Sequence, residues 1–334
     1  MEFKDFTTGK NDDGRRLDRV LRIFLKDKSL GEIYKLLRKG LIKVNQQKAK
    51  PDSHINEGDV ISIAAFLINS NPDNNNYEPK FENSTETICN LDIVFENQHI
   101  LIINKPYGIS VHGSDNNENG LDKAVLAYYQ SKYKNKDAEN TSLSFRPGPL
   151  HRLDRNTIGL LAFSLSLEGA KWFSEGIKNH TIQKKYYGLA EGKLENKEIW
   201  EDKLASADKL ENGFYTVMQS ADGQPAQTTA TPLAYGMLND KQVTLVEYVI
   251  KTGRKHQIRA QSKIHGHPLA GDKAYGGTQI KTKYKELNHE YYLQAYSLTI
   301  PDDNPISLPS EIKTGLSLDF VRLLEYCEIR NPGL

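Results

Sequence analysis

The chain has 334 residues, of which 38% are hydrophobic and 26% charged, and its formal net charge is +1 at pH 7. That length allows two domains, and the composition is typical of a soluble globular protein. No apolar run approaches the roughly 20 residues that a membrane-spanning helix needs, and the polar N-terminal segment argues against a signal peptide. We therefore expect a cytoplasmic protein that has no membrane partner.

Cysteine and histidine usage argues against a disulfide framework and against a bound metal. The two cysteines, Cys89 and Cys327, are far apart in sequence and match no metal-binding spacing. Three histidines, His256, His265 and His267, lie close together in sequence, but no cysteine accompanies them and their spacing is not that of a helical zinc site. We expect no metal site, and a reducing compartment is the simplest setting.

The low net charge conceals two basic regions. Residues 1–66 carry 14 Lys and Arg against 10 Asp and Glu, and residues 251–285 carry 9 against Asp272 alone. Phosphate groups respond to charge within a Debye length of about 8 Å, so local patches matter more than the total. Such patches suit a phosphate-rich partner, although a run of charge is often only a solvated face.

The N-terminal pattern predicts a small α/β unit over residues 1–68. Apolar residues recur at helical spacing in 17–25. Ser29 is a candidate N-cap of a second helix, and Gly40 is its expected end. Strand-like stretches follow, and three basic side chains, Arg38, Lys39 and Lys43, cluster near the first of them.

A second domain is expected from residue 88 to residue 334. Residues 69–87 are rich in Asn, Pro and Ser and offer little to a core, so we interpret them as a linker. The polar segments 113–120 and 131–142 are interpreted as surface loops. Strand-like segments with few helices, rather than strict alternation, favour an α+β fold.

One segment concentrates the candidate chemistry. Residues 151–161 read HRLDRNTIGLL, which places Asp154 between Arg152 and Arg155 and just before an apolar run typical of a buried strand. A carboxylate beside cations stays ionised near neutral pH, and it can act as a nucleophile. The alternative is that Asp154 only caps a turn or pairs with arginine.

Four segments in order resemble the RluA-type pseudouridine synthases. They read NKPYGISVH at 104–112, HRLDRNTIGLL at 151–161, KKYYGLAEG at 184–192 and TGRKHQIR at 252–259. The N-terminal unit, with YKLLRKG at 34–40, is similar to the S-four-like RNA-binding domain. The resemblance implies a catalytic domain built on a mixed, largely antiparallel β-sheet flanked by helices.

The resemblance also implies an activity, the isomerisation of uridine to pseudouridine in RNA. The reaction needs no redox change and no energy input, so neither a cofactor nor a nucleotide is implied. The combination of the two domains points to large-subunit (23S) ribosomal RNA. Two alternatives stay open, namely the same chemistry on transfer RNA and a noncatalytic RNA-binding factor in ribosome assembly. Nothing in the sequence demands more than a monomer.

Three residues take catalytic roles by this resemblance. Asp154 would attack the nucleoside covalently or promote a glycal-type intermediate, and the sequence does not choose between them. Tyr186 would stack on the flipped base, whereas Tyr187 should face the other way because neighbours in a strand alternate. Arg259 would pair with Asp154 and hold its orientation.

Further residues are expected to contact substrate or RNA. These are basic or polar side chains in or near the same segments, together with the three cations of the N-terminal unit: Lys105, Arg152, Arg155, Arg254, Lys255, His256, Arg38, Lys39 and Lys43. We expect Arg254 and Lys255 to contact phosphate and Lys105 to shape the wall of the active site. His151 is either structural or a substrate contact.

Overall fold

The computed structural model describes residues 1–69, 91–113, 120–133, 142–209 and 215–329. These residues belong to two compact units. The first contains Met1–Asn90, Asp122–Gly148 and Ser164–Ala170, and the second contains Leu91–Leu121, Pro149–Phe163 and Lys171–Leu334. The predicted linker lies outside the described residues apart from Asn69, so the predicted boundaries at 68 and 88 stay predictions.

The first unit packs helices on a small sheet. Its strands and helices are β1 (Phe3–Thr7), β2 (Arg15–Arg16), α1 (Leu17–Phe24), α2 (Leu30–Lys39), β3 (Ile42–Val44), β4 (His54–Ile55), β5 (Val60–Ala64), α3 (Phe66–Asn69) and α4 (Leu121–Tyr133). One sheet has the order β1–β5–β3, and β2 pairs with β4. The apolar stripes of α1 and α2 pack with β3 and β5 in one core.

The predicted ends of α2 are confirmed. The Ser29 hydroxyl accepts a hydrogen bond from the Glu32 amide, and the Glu32 carboxylate accepts one from the Ser29 amide. This reciprocal capping satisfies two backbone donors that the first turn leaves open. At the other end Gly40 has a φ of 71°, the left-handed conformation that a glycine adopts most easily.

The second unit is built on a large sheet, to which ten of the described strands belong. They are β6 (Ile93–Glu96), β7 (Ile100–Lys105), β8 (Ile158–Ser164), β9 (Gln183–Glu191), β10 (Glu198–Lys209), β11 (Tyr215–Gln219), β12 (Gln224–Leu238), β13 (Lys241–Ile250), β14 (Leu293–Thr299) and β15 (Glu311–Lys313). The order is β11–β10–β12–β13–β9–β14–β8–β7–β6, with β15 on β14. The remaining helices are α5 (Leu167–Lys178), α6 (Gln257–Ile264) and α7 (Leu318–Tyr326).

The expected fold class is confirmed. Strand β8 runs parallel to β14, whereas β14 is antiparallel to β9, and the pairs from β9 through β13, β12 and β10 to β11 are antiparallel as well. The sheet is therefore mixed and largely antiparallel. None of the helices in the described ranges is long and apolar enough to cross a membrane.

Several elements differ from the sequence-based expectation. Strands β10 and β11 and helix α4 were not anticipated; β10 and α4 have charged residues interspersed among their apolar ones, which weakens the periodic signal. The segment 131–142 was expected to be a loop, but α4 continues to Tyr133. Residues 134–141 lie outside the described part of the chain.

Gly159 allows β8 and β14 to approach closely, and its replacement should be costly. Its φ is +103°, and a β-carbon there would lie 2.1 Å from the carbonyl oxygen of Ala295 on β14. We expect Gly159→Ala to lower the free energy of unfolding by about 3 kcal/mol or more, through strain and overpacking together. Urea denaturation followed by circular dichroism would measure this.

Gly266→Ala is the matched control for that substitution. Gly266 also has a positive φ, +82°, but a β-carbon there would meet nothing within 4 Å. Its cost should be only that of the backbone conformation, about 1–2 kcal/mol. Equal costs at the two positions would contradict the close approach of the strands.

Candidate active site

Asp154 lies in the turn that enters β8, as the sequence predicts. The Thr157 amide donates to the Asp154 carbonyl oxygen over 3.1 Å and closes the turn. Strand β8 begins one residue later, at Ile158, and most of its side chains are buried. The carboxylate is therefore carried by a short turn whose end is fixed in the sheet.

Lys105 holds this turn from within the protein. Its ammonium donates to the carbonyl oxygens of Arg155, Thr157 and Pro106 over 2.7, 2.9 and 3.0 Å. The side chain is 1% exposed, and burial, against the attraction of Asp154, lowers its pKa to about 7. Lys105 was placed among the substrate-site residues and was expected to shape the wall of the active site; its three hydrogen bonds go to backbone carbonyl oxygens of the turn, and its contact with substrate stays a prediction.

Arg259, in the first turn of α6, is fixed by a carboxylate other than Asp154. Its Nε and Nη2 donate to the two oxygens of Asp272 over 2.6 and 2.9 Å. Burial opposes the charge, but the hydrogen bonds to Asp272 raise the pKa of Arg259 above its usual value. A planar guanidinium fork matches a carboxylate in this way.

Two aromatic rings also contact the guanidinium of Arg259. Its Cζ lies 4.9 Å from the ring centre of Tyr275 and 4.5 Å from that of Tyr291. Cations within about 6 Å of a ring centre are stabilised by it. The rings and Asp272 leave Nη1 of Arg259 directed at Asp154, with 3.4 Å between Nη1 and Oδ2.

The contact between Arg259 and Asp154 is therefore single and long. Charged N–H donors usually approach carboxylates to about 2.7–2.9 Å. The bidentate contact of the guanidinium is made with Asp272, and Asp154 receives only the single contact of Nη1. Arg259 is held rigidly, whereas the Asp154 carboxylate keeps room to move toward a substrate.

His256 approaches the other oxygen of Asp154. Its Nε2 lies 3.8 Å from Oδ1, and its Nδ1 lies 2.9 Å from the Tyr275 hydroxyl. Burial, against the attraction of Asp154, lowers the pKa of the imidazole. The Tyr275 hydroxyl accepts from the Val217 amide over 2.8 Å, which leaves its own proton available to Nδ1 of the neutral ring.

Tyr186 faces the same cleft as Asp154, and Tyr187 faces away. Tyr186 is 5% exposed and lines the cleft. Burial and then the Asp154 charge raise the pKa of its hydroxyl, so it stays a neutral phenol at working pH. Tyr187 stacks on Tyr296 with ring centres 3.7 Å apart, as strand alternation predicts.

The cleft around Asp154 has a volume of about 750 Å³ and a cationic wall. Six Lys and Arg side chains line it: Arg152, Lys178, Lys184, Lys251, Arg254 and Arg259. Among its described lining residues, Asp154 is the single carboxylate. Such a wall attracts phosphates, and it surrounds a carboxylate that can act as a nucleophile.

A second hollow continues this cleft. It has a volume of about 790 Å³ and shares Pro225, Lys251 and Thr252 with the first. The exposed Arg254 side chain lies at this junction, where its Nε donates to the Pro225 carbonyl oxygen over 3.0 Å. The two hollows thus form one continuous depression, although the second is also lined by the carboxylates Glu201 and Asp202.

Of the other residues expected to contact the substrate, some line the cleft and others lie outside it. Arg152, Arg254 and His256 line the cleft with Asp154. Arg155 and Lys255 are exposed but outside the described lining, and the Nε of Arg155 donates to the Gly108 carbonyl oxygen over 2.9 Å. Their contact with RNA stays a prediction.

The cations predicted in the N-terminal unit lie at the end of α2 and on β3. Arg38 and Lys39 are exposed in the last turn of α2. Lys43 is half-buried, with its ammonium 4.8 Å from the ring centre of Phe3. The three remain available as candidates for phosphate contacts.

Comparison with known proteins now identifies the family. A model described as RNA pseudouridylate synthase matches residues 99–263, and one described as S4 domain matches residues 15–61. A ribosomal large subunit pseudouridine synthase C of Vibrio vulnificus is 30% identical over 268 residues, covering 79% of this chain and 77% of the relative. The chain belongs to the RNA pseudouridylate synthase family.

Other comparisons agree with this membership. The pseudouridine synthase C of Haemophilus influenzae is 29% identical over 303 residues, covering 88% of this chain and 86% of the relative. The solved structure of human RNA pseudouridylate synthase domain containing 4 has a TM-score of 0.54 at 21% identity, covering 71% of this chain and 92% of that one. This chain is thus an RNA pseudouridine synthase, an isomerase, and it carries an S4 domain.

Sequence reasoning missed the partners that hold the synthase site together. The sequence analysis assigned no role in the site to Asp272, Tyr275 or Tyr291. One indirect signal for these partners was available in the sequence. A buried arginine requires a buried counter-charge, so an acidic residue should lie near Arg259. Asp272 is the single acidic residue in the basic region 251–285, so it could have been predicted as the partner of Arg259.

Loss of Asp272 should unfold the site. Asp272→Asn would leave the Arg259 guanidinium buried with its main counter-charge gone, which typically costs about 3–5 kcal/mol. The free energy of unfolding from urea denaturation would measure the loss. The exposed Asp302 provides the control, since Asp302→Asn should change stability by less than about 0.5 kcal/mol; comparable losses in both variants would refute the role of Asp272.

Proposed function

We propose that this protein isomerises uridines of large-subunit ribosomal RNA to pseudouridine, with Asp154 as the catalytic carboxylate. The observation that carries the proposal is the position of Asp154 as the single carboxylate among the described residues of a cationic cleft, beside Arg259 and Tyr186. Its relatives named ribosomal large subunit pseudouridine synthase C support the choice of RNA.

The reaction exchanges one glycosidic bond for another. The bond from N1 of uracil to C1′ of ribose breaks, the base turns, and a bond from C5 to C1′ forms while C5 loses its proton and N1 gains one. Asp154 would stabilise the detached sugar, either as a covalent adduct at C1′ or by removing a proton to give a glycal. Both routes return the carboxylate unchanged.

The surroundings of Asp154 suit these steps. The target base must leave its stack at a cost of a few kcal/mol, and an aromatic side chain can return roughly 1–3 kcal/mol by stacking. Tyr186, a neutral phenol in the cleft wall, is the proposed stacking partner. Arg259 would orient Asp154 without neutralising it, because its fork is already occupied by Asp272.

We also propose a division of labour between the domains. Residues 1–68 would dock on phosphates and RNA shape, residues 69–87 would connect, and residues 88–334 would carry out the chemistry. Such docking suits a large structured RNA. A monomer in the cytoplasm is consistent with the sequence and stays a prediction.

Tritium release tests the reaction. RNA labelled at C5 of uracil loses its label to water only when the base is rejoined through that carbon. We expect release from large-subunit ribosomal RNA by the wild type, and none by Asp154→Asn, which keeps the shape of the side chain but removes its charge. RNA binding should survive in the variant, because the cationic wall is unchanged.

The same assay separates the alternatives. Release from transfer RNA but not from ribosomal RNA would correct the substrate. Tight binding without release from either RNA would favour a noncatalytic assembly factor. Parallel loss of binding and release in Asp154→Asn would remove the catalytic assignment.

The salt dependence of binding tests the N-terminal cations. Replacing Arg38, Lys39 and Lys43 by Gln should weaken RNA binding and lower the slope of log affinity against log salt by about 0.7–0.9 for each phosphate that the variant no longer neutralises. Filter binding over a salt series gives the slope. A matched triple replacement of exposed lysines, Lys171, Lys197 and Lys241, should leave the slope nearly unchanged; equal slopes in the two triple variants would exclude the N-terminal cations from the interface.

A further inference from the structure

Lys184 is a buried cation for which the reaction scheme has no role. It lies on β9 two residues before Tyr186, so both side chains are on the same face of the strand. The side chain is 6% exposed and lines the cleft. Burial lowers the pKa of its ammonium to about 8, so the group is still charged at neutral pH.

The described residues offer this cation no counter-charge. In the described part of the chain, no ion pair or hydrogen bond of the Lys184 ammonium is found. The carboxylate in the cleft, Asp154, contacts Arg259 and His256 instead. Buried charges are normally paired, so an anion from outside the protein is the natural partner.

His151 supplies a second unsatisfied donor at the cleft. Its Nε2 accepts from the Ala162 amide over 3.2 Å, so the proton of the neutral ring sits on Nδ1. Nδ1 is buried and has no hydrogen-bond partner among the described residues. Burial and then the nearby Lys184 charge lower the pKa of His151 to about 3, which keeps the ring neutral. A buried donor without a partner calls for an explanation such as a bound ligand.

Gly253 leaves space at the Lys184 ammonium. A β-carbon on Gly253 would lie 3.3 Å from Nζ of Lys184. A side chain at this position would press on the ammonium, so a glycine here lets Nζ of Lys184 lie close to residue 253 in the wall of the cleft.

We propose that Lys184 Nζ and His151 Nδ1–H form a subsite for the phosphate next to the target uridine. The proposal rests on the proposed function, and it adds a substrate contact to the same cleft. Lys184 and Tyr186 are separated by about 7 Å along the strand. Both side chains line the same cleft, and this spacing would allow a nucleotide whose base stacks on Tyr186 to place a phosphate at the Lys184 ammonium.

Small nucleotides test the subsite without knowledge of the target sequence. The probes are uridine, uridine 5′-monophosphate, uridine 3′-monophosphate and inorganic phosphate, titrated into the intact protein by calorimetry or NMR. One of the monophosphates should bind at least about tenfold more tightly than uridine, as expected for a charge-assisted contact. Equal affinity of uridine and both monophosphates would overturn the proposal.

Substitutions of Lys184 and of its neighbour Lys185 test whether Lys184 causes the preference for the monophosphate. Lys184→Met keeps the length of the side chain and should abolish the preference for the monophosphate, whereas Lys184→Arg should keep it. Lys185→Met is the matched control, because Lys185 is next in the strand and lies near Glu311 on the opposite face. Loss of the preference in Lys185→Met, or its retention in Lys184→Met, would count against the subsite.

A pH series adds a signature that a structural role would not give. The lysine ammonium loses its proton as pH rises through about 8, so monophosphate affinity of the wild type should fall above that pH. Lys184→Arg should hold its affinity to higher pH, because arginine stays charged. A parallel fall in both proteins would contradict the proposal.

Tritium release with the same proteins separates the two proposals. Release by the wild type together with equal binding of uridine and the monophosphates would reject the subsite and keep the isomerase function. A preference for the monophosphate that depends on Lys184, without release from any RNA, would keep the subsite and reject the function.

Discussion

Arg259 is buried, and Asp272 offsets the cost of burying its charge by accepting two hydrogen bonds from the guanidinium. The pair joins helix α6 to the turn that follows it, and Tyr275 and Tyr291 close over the guanidinium on two sides. The remaining nitrogen, Nη1, is thereby directed at Asp154. The geometry around Asp154, the proposed catalytic carboxylate, thus depends on an ion pair that does not include it.

Asp154 is supported differently on its own side. Its turn is closed by Thr157 and held by the ammonium of Lys105, so the backbone is fixed. The carboxylate itself makes only a single contact at 3.4 Å with Arg259 and a looser one at 3.8 Å with His256. A fixed backbone and a weakly held carboxylate suit the catalytic role that we propose for Asp154.

The exposed and the buried Lys and Arg side chains of the cleft differ in what they require. Exposed cations such as Arg152 and Arg254 make the cleft wall positive, which would attract the phosphate backbone of the proposed substrate. Buried cations have lost their water, so each needs a partner: Arg259 has Asp272, Lys105 has three carbonyl oxygens, and Lys184 has none among the described residues. Lys184 is therefore the buried cation of the cleft that an anion of the substrate would satisfy.

The sequence by itself determined the fold class, the capping of α2, the place of Asp154 before a buried strand and the opposite directions of Tyr186 and Tyr187. These features depend on the spacing of residues that are close in sequence. Alternating apolar residues indicate strands directly, and capping and turn residues indicate where helices begin and end. Only the tertiary structure decided that Asp272 holds Arg259, that Lys105 is a buried support and that His151 and Lys184 share a cleft. Apart from the contact of Lys105 with Pro106, those partners are 13 or more residues apart in sequence. Their contacts arise from the packing of separate elements, which leaves no periodic signal in the chain.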